Sequence, residues 1–172
     1  IILIILSGSI AGPYNINCHG GTGSIEITVS GGSAGSYQYS WSASGGGSGI
    51  VPGQEDQLTL TAGIYNLEVR DLYGCVALFD TTLTEPAALS ASLVTTDITC
   101  ASPGLNNGSI DLSVTGGVGP YTYLWSNGAT SEDISGLAEG EYYVTIRDAN
   151  NCEYTDTAII NLPPTITFTR VL

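Results

Sequence analysis

The chain contains the stretch Gly23-Ser-Ile-Glu-Ile-Thr-Val-Ser-Gly-Gly32 and returns to it as Gly108-Ser-Ile-Asp-Leu-Ser-Val-Thr-Gly-Gly117. In both copies apolar residues alternate with polar ones up to a pair of glycines, which is the pattern of a half-buried β-strand that ends in a turn. A longer stretch recurs as well, since the segment 63–75 matches the segment 140–152. Self-similarity of this kind predicts a tandem array of units rather than one fold built around one pocket.

A third recurrence indicates where each unit begins. Leu6-Ser-Gly-Ser-Ile10 matches Leu89-Ser-Ala-Ser-Leu93, and a linker with Pro86 precedes the second copy. The resulting phase predicts four segments. These are the end of a preceding repeat or a linker (1–5), β-sandwich repeat 1 (6–88), β-sandwich repeat 2 (89–165) and the first strand of a truncated third repeat (166–172).

Short alternating segments separated by glycine-rich turns run through both repeats, and no segment shows a helical period. About seven such strands per repeat predict an all-β fold of tandem immunoglobulin-like β-sandwich repeats. Trp41 and Trp125 each end a middle strand and are expected to fill the core between the sheets. Tyr65 and Tyr142 each open a late strand and are expected to form a tyrosine corner, whose hydroxyl bonds an upstream backbone group.

The composition excludes several classes of partner. The net charge is −13, with only 3 Lys and Arg residues, and 11% of all residues are charged. An acidic surface of this kind repels nucleic-acid phosphates and anionic lipids, so we expect neither nucleic-acid binding nor membrane contact. The apolar run Ile1–Leu6 is too short to cross a bilayer.

The four cysteines occur as one pair per repeat, Cys18 with Cys75 and Cys100 with Cys152. This spacing predicts one disulfide per repeat and an oxidising compartment. Three connectivities are possible, and repeat symmetry favours Cys18–Cys75 and Cys100–Cys152. The alternative, a zinc site, would need four ligands close together, and only His19 could join the cysteines.

In order, each repeat reads Cys, Gly-Ser-Ile-x-hydrophobic-x-Val-x-Gly-Gly, Tyr-x-Tyr-x-Trp, Gly-x-Tyr-x-hydrophobic-x-hydrophobic-Arg-Asp and Cys. This ordered set resembles the SprB-type repeat of cell-surface adhesins in Bacteroidetes. The resemblance implies a secreted, extracellular or cell-surface bacterial protein that serves attachment or gliding motility and leaves through type IX secretion. The first repeat departs from the pattern, because Ser36 stands where the second has Pro120 and an insertion runs from Ser44 to Gln57.

Two further sets of residues are candidate sites. Asp71 and Asp148 follow a strand, where they could bind calcium or could bond their own turn, and the turn interpretation is favoured because calcium needs six to eight oxygens. Thr81 and Thr157 each follow an Asp shortly after the second cysteine. Asp-Thr followed by a small or aliphatic residue resembles an O-glycosylation signal of secreted Bacteroidetes proteins, which implies O-linked glycans on both.

The function expected from these observations is that of a stalk or filament segment of a secreted surface adhesin. The alternatives are a self-assembling extracellular filament subunit and an accessory carbohydrate-binding module, the latter requiring a row of outward aromatics. Paired catalytic carboxylates, a nucleophile with its base and a phosphate loop are not evident, so we expect no enzyme activity, no cofactor and no metal. The expected partners are neighbouring repeats, surface polysaccharide or identical chains.

Overall fold

The computed structural model describes residues 6–33, 36–99 and 106–164 of the 172-residue chain. The chain divides into two compact units, Ile1–Ala87 and Ala88–Leu172, with the boundary one residue before the predicted one. Within the described ranges, no helix offers the length and apolarity that a membrane-spanning segment needs. The predicted segments 1–5 and 166–172 and the predicted role of Cys100 lie outside the described residues.

Unit 1 is a sandwich of two antiparallel three-stranded sheets. One sheet has the order β1-β2-β4 and the other the order β3-β5-β6. Labelled A, B, C, E, F and G along the chain, the strands form the A-B-E and C-F-G sheets of an immunoglobulin sandwich. The strands are β1 (Ser7–Tyr14), β2 (Gly23–Ser30), β3 (Gln38–Ser44), β4 (Gln57–Leu60), β5 (Gly63–Arg70) and β6 (Val76–Leu83).

Unit 2 repeats this arrangement strand for strand. Its sheets have the orders β7-β8-β10 and β9-β11-β12. The tandem immunoglobulin-like sandwich predicted from the sequence is therefore confirmed. The strands are β7 (Ser90–Thr96), β8 (Gly108–Thr115), β9 (Thr122–Trp125), β10 (Ile134–Leu137), β11 (Gly140–Arg147) and β12 (Glu153–Ile160).

The described part of each unit has six strands rather than about seven. The strand missing from the immunoglobulin pattern is D, which would lie between the third and fourth strands. In unit 1 the segment 45–56 crosses back along the sandwich there without joining a sheet. Consequently β3 and β4 run in the same direction. β3 is antiparallel to β5, with Gln38 opposite Arg70, and β4 is antiparallel to β2.

Alternation in the sequence becomes the two-sided burial of each sheet. Every second residue of β2 and β5 points inward, so Ile25, Leu67 and Val69 are buried while Asn66 is exposed. Burying each such side chain contributes roughly 1.5–3 kcal/mol, which is the main favourable term in a domain of this size. The core of unit 1 consists of Leu6, Ile25, Ile27, Leu60, Tyr65, Leu67, Val69 and Leu83. The core of unit 2 consists of Ile98, Ile110, Leu112, Trp125, Ile134, Leu137, Val144, Ile146, Ala158 and Ile160.

Candidate functional site: the two poles and the outer face of each unit

Each sandwich has two poles. We call the end with the turn between the last two strands the hairpin pole, and the end where the last strand finishes the linker pole. In unit 1 the hairpin pole contains Asp71, whose carboxylate is buried. Its Oδ1 accepts hydrogen bonds from the amides of Tyr73 (3.0 Å) and Cys75 (2.8 Å), and its Oδ2 accepts one from the amide of Ser33 (3.0 Å). Asp71 thus ties the hairpin turn to the segment after β2.

Asp148 does the same at the hairpin pole of unit 2. Its Oδ1 accepts from the amides of Asn150 (2.9 Å) and Cys152 (2.9 Å), and its Oδ2 accepts from the amide of Val118 (2.9 Å). The interpretation of both aspartates as turn-forming residues is confirmed by these bonds. In the part of the chain that the structure describes, no group of three or more acidic, His or Cys side chains is placed to hold a metal ion.

The hydrogen bonds set the acidity of both aspartates. The bond from the Ser33 amide has the largest effect on Asp71, and with those from Cys75 and Tyr73 it lowers the pKa of the carboxyl despite burial. Burial is the largest effect on Asp148 and raises its pKa, but the bonds from Val118, Cys152 and Asn150 outweigh it and the net pKa is lowered. Both side chains are therefore held as carboxylates, the form that accepts amide hydrogen bonds most strongly.

The Gly-Gly pair of the repeat motif belongs to this pole. Gly117 has φ +58°, and a Cβ there would lie 2.9 Å from Asp148 Oδ2 and 3.0 Å from Leu89 Cδ1. In unit 1 a Cβ on Gly32 would meet Asp71 Oδ2 at 2.8 Å and Leu6 Cδ1 at 3.2 Å. Only glycine fits, because both the backbone conformation and the space exclude a side chain. The same contacts show that each unit's chain enters at its hairpin pole, where Leu6 or Leu89 packs.

The linker pole of unit 1 brings the segment around Cys18 to the end of β6. The amide of Ile16 donates to the carbonyl of Thr84 (3.2 Å), and the amide of Gly20 donates to Glu85 Oε2 (2.6 Å). His19 Nδ1 lies 3.3 Å from Glu85 Oε1 and 3.3 Å from the Pro86 carbonyl oxygen. His19 therefore belongs to a network that fastens the chain where it leaves the unit.

The predicted pairing of Cys18 with Cys75 is wrong. Cys75 is an exposed free thiol, while Cys18 and Cys152 are each disulfide-bonded. The reason is distance, because Cys75 stands just before β6 and the neighbours of Cys18 bond residues just after it. About nine extended residues separate these ends, roughly 30 Å at 3.3 Å per residue. A disulfide needs Cα atoms within about 7 Å.

Unit 2 has the same polarity. The amide of Ile98 donates to the carbonyl of Asn161 (3.1 Å), just beyond β12, and Asp97 Oδ1 accepts from the Asn161 amide (2.9 Å). Cys152 lies at the other end of β12, where its backbone amide donates a hydrogen bond to the carboxylate of Asp148. The predicted pairing Cys100–Cys152 involves a residue outside the described ranges.

The aromatic residues singled out in the sequence line the interior. Trp125 is 2% exposed in the core of unit 2, and Trp41 is half-buried against the core of unit 1. Their indole nitrogens donate to the carbonyls of Ser131 (3.0 Å) and Gln54 (2.9 Å). The hydroxyls of Tyr65 and Tyr142 donate to carbonyls four residues upstream, those of Thr61 (2.7 Å) and Ala138 (3.2 Å). Both tyrosine corners are therefore formed.

Thr81 and Thr157, which the sequence places in matching positions, are not equivalent in the structure. Thr81 pairs with Tyr65 on β5, whereas Thr157 pairs with Tyr143 on β11. Thr157 is exposed on the outer face of its sheet, and Thr81 is half-buried on the inward-facing side of β6. The two hairpins have the same register, but Thr81 lies six residues after Cys75 and Thr157 only five after Cys152. This difference of one residue moves the side chain to the opposite face.

The outer faces carry no row of aromatic side chains among the described residues. The exposed aromatics Tyr14, Tyr73 and Tyr143 lie on β1, in the hairpin turn and on β11 respectively. The outer face of unit 1 has instead a shallow polar depression of about 410 Å³. It is lined by Ser40, Ser42, Asn66, Leu67, Glu68, Leu78, Phe79 and Asp80.

Sequence reasoning missed one repeated contact. Asp56 Oδ1 accepts from the amide of Ile27 (3.0 Å), and Asp133 Oδ1 accepts from the amide of Leu112 (2.9 Å). Each aspartate precedes the short fourth strand and attaches its loop to the second strand of its unit. An aspartate just before matching strands in both repeats is the signal that could have revealed this.

The SprB repeat family profile matches two regions of the chain, residues 13–46 and 92–130. Each matched region begins within the opening strand of its unit, β1 or β7, and ends beyond the Tyr-x-Tyr-x-Trp segment. No curated protein sequence matches the chain.

Several solved structures are similar to this chain at low sequence identity. The N-terminal eight Ig domains of Down Syndrome Cell Adhesion Molecule isoform 1.30.30 match at 14% identity and a TM-score of 0.45, over 94% of this chain and 25% of that one. The C-terminal 282-residue fragment of intimin, solved in complex with the intimin-binding domain of the translocated intimin receptor, matches at 18% identity and a TM-score of 0.44, over 92% of this chain and 64% of that one. The chain thus spans less than two thirds of either protein.

Proposed function

We propose that this chain, two regions of which match the SprB repeat family, is a stalk segment of a secreted bacterial surface adhesin. One observation carries this proposal. In both units the chain enters at the hairpin pole, by Leu6 or Leu89, and the last strand ends at the linker pole. Units threaded in this way add length with each repeat, because every unit is traversed from one end to the other.

The surface of the segment suits a stalk better than a binding module. Its described exposed aromatics do not share a sheet face, so a stacking platform for sugar rings is not supported. The only arginines with described contacts, Arg70 and Arg147, are paired with Glu68 and Glu153, which leaves a strongly acidic exterior. Like-charged surfaces repel each other, so lateral association of identical chains is disfavoured. The segment acts in this proposal through its length and surface, without catalysis.

Secretion and attachment remain part of the proposal. The bonded state of Cys18 and Cys152 supports an oxidising, extracellular location. Attachment or gliding, and export by type IX secretion, follow from the family resemblance. We further propose that Thr157 carries an O-linked glycan, because its hydroxyl lies on an exposed edge strand. Thr81, half-buried on its strand, is the weaker candidate of the pair.

The test of the stalk is length as a function of repeat number. Chains with two, four and eight such repeats are measured by small-angle X-ray scattering and analytical ultracentrifugation. We expect the maximum dimension to rise linearly with repeat number and the sedimentation coefficient to be independent of concentration. A maximum dimension that levels off would contradict the stalk. Concentration-dependent growth would instead favour the filament.

The glycan is tested on protein secreted by the native host. Intact mass and peptide mapping should show a sugar on the Thr157 peptide, and Thr157→Val should remove it. Thr155→Val, on the same exposed face of β12, is the matched control and should leave the mass of the glycan unchanged. An unmodified Thr157 peptide in natively secreted material would contradict the glycan proposal and would leave the stalk proposal unaffected.

A further inference from the structure

Strand β3 (Gln38–Ser44) lies at the margin of its sheet, and in the described part of the chain no strand pairs with the side of β3 that faces away from β5. We call this side the β3 edge. The ladder to β5 runs through all seven residues of β3 without a bulge. Natural proteins usually protect such an edge by shortening, bulges, charges or a proline, because an open edge pairs with foreign strands. β3 has none of these protections, since it is long and regular and contains only Gln, Tyr, Ser, Trp and Ala.

The β3 edge presents the backbone N–H and C=O groups of every second residue, because alternate residues of an antiparallel strand bond its neighbour. Unit 2 shows which residues these are. The amide of Ser126, next to Trp125, donates to the carbonyl of Tyr143 on β11 (2.8 Å), so the backbone of Trp125 faces away from β11. Trp41 has the same ladder position in unit 1 as Trp125 in unit 2. The residues whose backbone groups face outward on the β3 edge are therefore Tyr39, Trp41 and Ala43.

Unit 2 covers the equivalent edge with its own chain. The turn after β9 folds back onto that strand, where the Trp125 amide donates to the Ala129 carbonyl (2.9 Å) and the Gly128 amide donates to the Trp125 carbonyl (2.9 Å). β9 is also only four residues long, and Pro120 precedes it. The edge of β9 is consequently short and capped.

Unit 1 uses its longer connection differently. The segment 45–56 runs to β4, where the Thr61 amide donates to the Ser48 carbonyl (3.2 Å), and none of the described hydrogen bonds joins this segment to the outward backbone groups of β3. Trp41 is accordingly half-buried, whereas Trp125 is 2% exposed. The insertion thus protects β4 and leaves the β3 edge open.

The outer side of the β3 edge favours a basic side chain on an added strand. Ser40 is small and exposed and lines the polar depression, and Glu68 lies opposite it on β5. A strand added to β3 would lie two strand spacings, about 10 Å, from β5. A lysine or arginine side chain opposite Ser40 spans that distance together with the side chain of Glu68. The Oε1 atom of Glu68 accepts from Arg70 (2.7 Å), and among the described residues its Oε2 atom has no partner.

The inner side of the β3 edge favours apolar residues. Trp41 packs against the core of unit 1 but is only half-buried, so part of its ring system is accessible to a side chain on an added strand. Glu55 hydrogen-bonds Tyr39 and adds a further negative charge beside the edge. A segment with acidic residues is therefore disfavoured by repulsion, in keeping with the net charge of −13.

We propose that the β3 edge binds an extended segment of a partner protein, in which apolar residues alternate with basic ones. The segment pairs antiparallel to β3, the arrangement that is more stable per residue. Its apolar residues lie opposite Trp41 and the other outward-facing residues and exchange backbone hydrogen bonds with them, while its basic residues lie opposite Ser40 and Ser42. A second copy of β3 fits less well, because it would bring no basic residue to Glu68.

The probe is a synthetic peptide of alternating Val and Lys, as long as β3 and with blocked termini. It is added to the full 172-residue chain, and backbone amide hydrogen exchange is followed by NMR. We expect exchange at Trp41 and Ala43 to slow at least about tenfold, because bound amides are protected. Exchange at Tyr123, on the short edge of β9, should not change.

Two methylated peptides test the pairing without altering the protein. Methyl groups on the Val amide nitrogens remove the donors that face β3 and should abolish binding. Methyl groups on the Lys amide nitrogens face away from β3 and should leave the affinity unchanged within about twofold. A peptide with Glu in place of Lys should bind at least about tenfold more weakly, since it meets Glu68 and Glu55.

Protein variants locate the site. Ala43→Pro removes an outward N–H that the ladder to β5 does not use, a position where edge strands accept proline, and should weaken binding at least about tenfold. Ala43→Val keeps the amide and is the matched control. Glu68→Gln should weaken binding about two- to fivefold, and Glu153→Gln, which alters the ion pair of unit 2, should not.

The inference is overturned if millimolar peptide leaves exchange at Trp41 and Ala43 unchanged, if the peptides with methylated Val and methylated Lys bind alike, or if the Glu peptide binds as well as the Lys peptide. A sedimentation coefficient that rises with protein concentration, and that Ala43→Pro makes constant, would assign the edge to a second copy and would also overturn it. The dependence of length on repeat number is a separate measurement, so the stalk proposal holds or fails independently of peptide binding.

Discussion

The amide of Val118 donates a 2.9 Å hydrogen bond to the carboxylate of Asp148, 30 residues later in the chain. This contact and its counterpart between Ser33 and Asp71 hold the Gly-Gly turn against the hairpin turn in both units. Backbone amides that lose such a partner while buried destabilise a fold. The stability of the hairpin pole should therefore depend on the charge of its aspartate.

The first prediction concerns acid stability. Asp71 and Asp148 have lowered pKa values in the folded state, so their contribution is fully present above the ordinary carboxyl pKa of about 3.9. It is lost as the pH falls below that value and through the folded-state pKa. Thermal melts between pH 7 and pH 2 should show Asp148→Asn with a lower Tm than the wild type at pH 7 and a smaller further loss in acid.

Asp111→Asn is the matched control, because Asp111 is exposed on β8. It should reproduce the wild-type acid profile. An Asp148→Asn profile parallel to that of the wild type from pH 7 to pH 2 would show that this carboxylate does not support the pole.

The second prediction concerns the Gly-Gly turn. Gly117 and Gly128 both have positive φ, +58° and +85°, but only Gly117 has close neighbours for a Cβ. Gly128→Ala should cost about 1–2 kcal/mol from backbone strain alone. Gly117→Ala should cost about 1–3 kcal/mol more, because its methyl group would press on Asp148 and Leu89. Urea unfolding of the two variants measures the difference, and equal costs would contradict the packing argument.

The third prediction compares how much the hydroxyl of each tyrosine corner contributes to the free energy of unfolding. The hydroxyl of Tyr65 lies 2.7 Å from the carbonyl oxygen of Thr61 and 2.9 Å from that of Ser48, and it accepts from the Ser48 amide at 3.0 Å. That of Tyr142 reaches only the carbonyl of Ala138, at 3.2 Å, among the contacts described. Tyr65→Phe should therefore cost about 1–3 kcal/mol, and Tyr142→Phe about 0.5–1.5 kcal/mol. Denaturant unfolding curves that rank the two in the opposite order would contradict the assignment.

The fourth prediction concerns a tyrosine that ionises late. Burial, together with the nearby charge of Glu55, raises the pKa of Tyr39 to about 12. Since the unfolded value is about 10, the stabilisation is complete below pH 10 and is lost as the pH rises to about 12. Ultraviolet titration should show a phenol that ionises near pH 12, and Glu55→Gln should make this phenol ionise at a lower pH.

Glu132→Gln provides the comparison within the same chain. Burial and then Glu132 raise the pKa of Tyr123 in unit 2, so this variant should move Tyr123 and leave Tyr39 in place. An identical titration curve for the wild type and Glu55→Gln would show that Glu55 does not act on Tyr39.

The fold could be predicted from the sequence because local patterns determine it. Alternation in β2 and β8 defines which side chains face the core, and the recurrence of the pattern defines two units. Trp125 and Tyr65 could be placed in the interior for the same reason, since each large aromatic residue lies in phase with buried neighbours.

The cysteine pairing could not be predicted because it depends on how often the chain crosses the sandwich. Four antiparallel strands, β2 to β5, lie between Cys18 and Cys75, and an even number of crossings would return the chain to the pole where it began. The segment 45–56 adds a fifth crossing without forming a strand, so the two cysteines lie at opposite poles. The alternation of apolar and polar residues does not indicate such a crossing, because the segment forms no strand. The opposite faces of Thr81 and Thr157, in contrast, follow from the sequence, since the two residues lie six and five positions after their cysteines.

The first strand of a unit begins at the hairpin pole and the last strand ends at the linker pole. This arrangement also determines how a unit responds to tension. A pull on Leu6 and Leu83 acts along β1 and β6, whose hydrogen bonds to β2 and β5 lie perpendicular to the strands. Such a force shears all the bonds of a ladder together, whereas strands ending at one pole would be peeled apart one bond at a time. Each unit should consequently stay intact up to a high force and then give way in a single step.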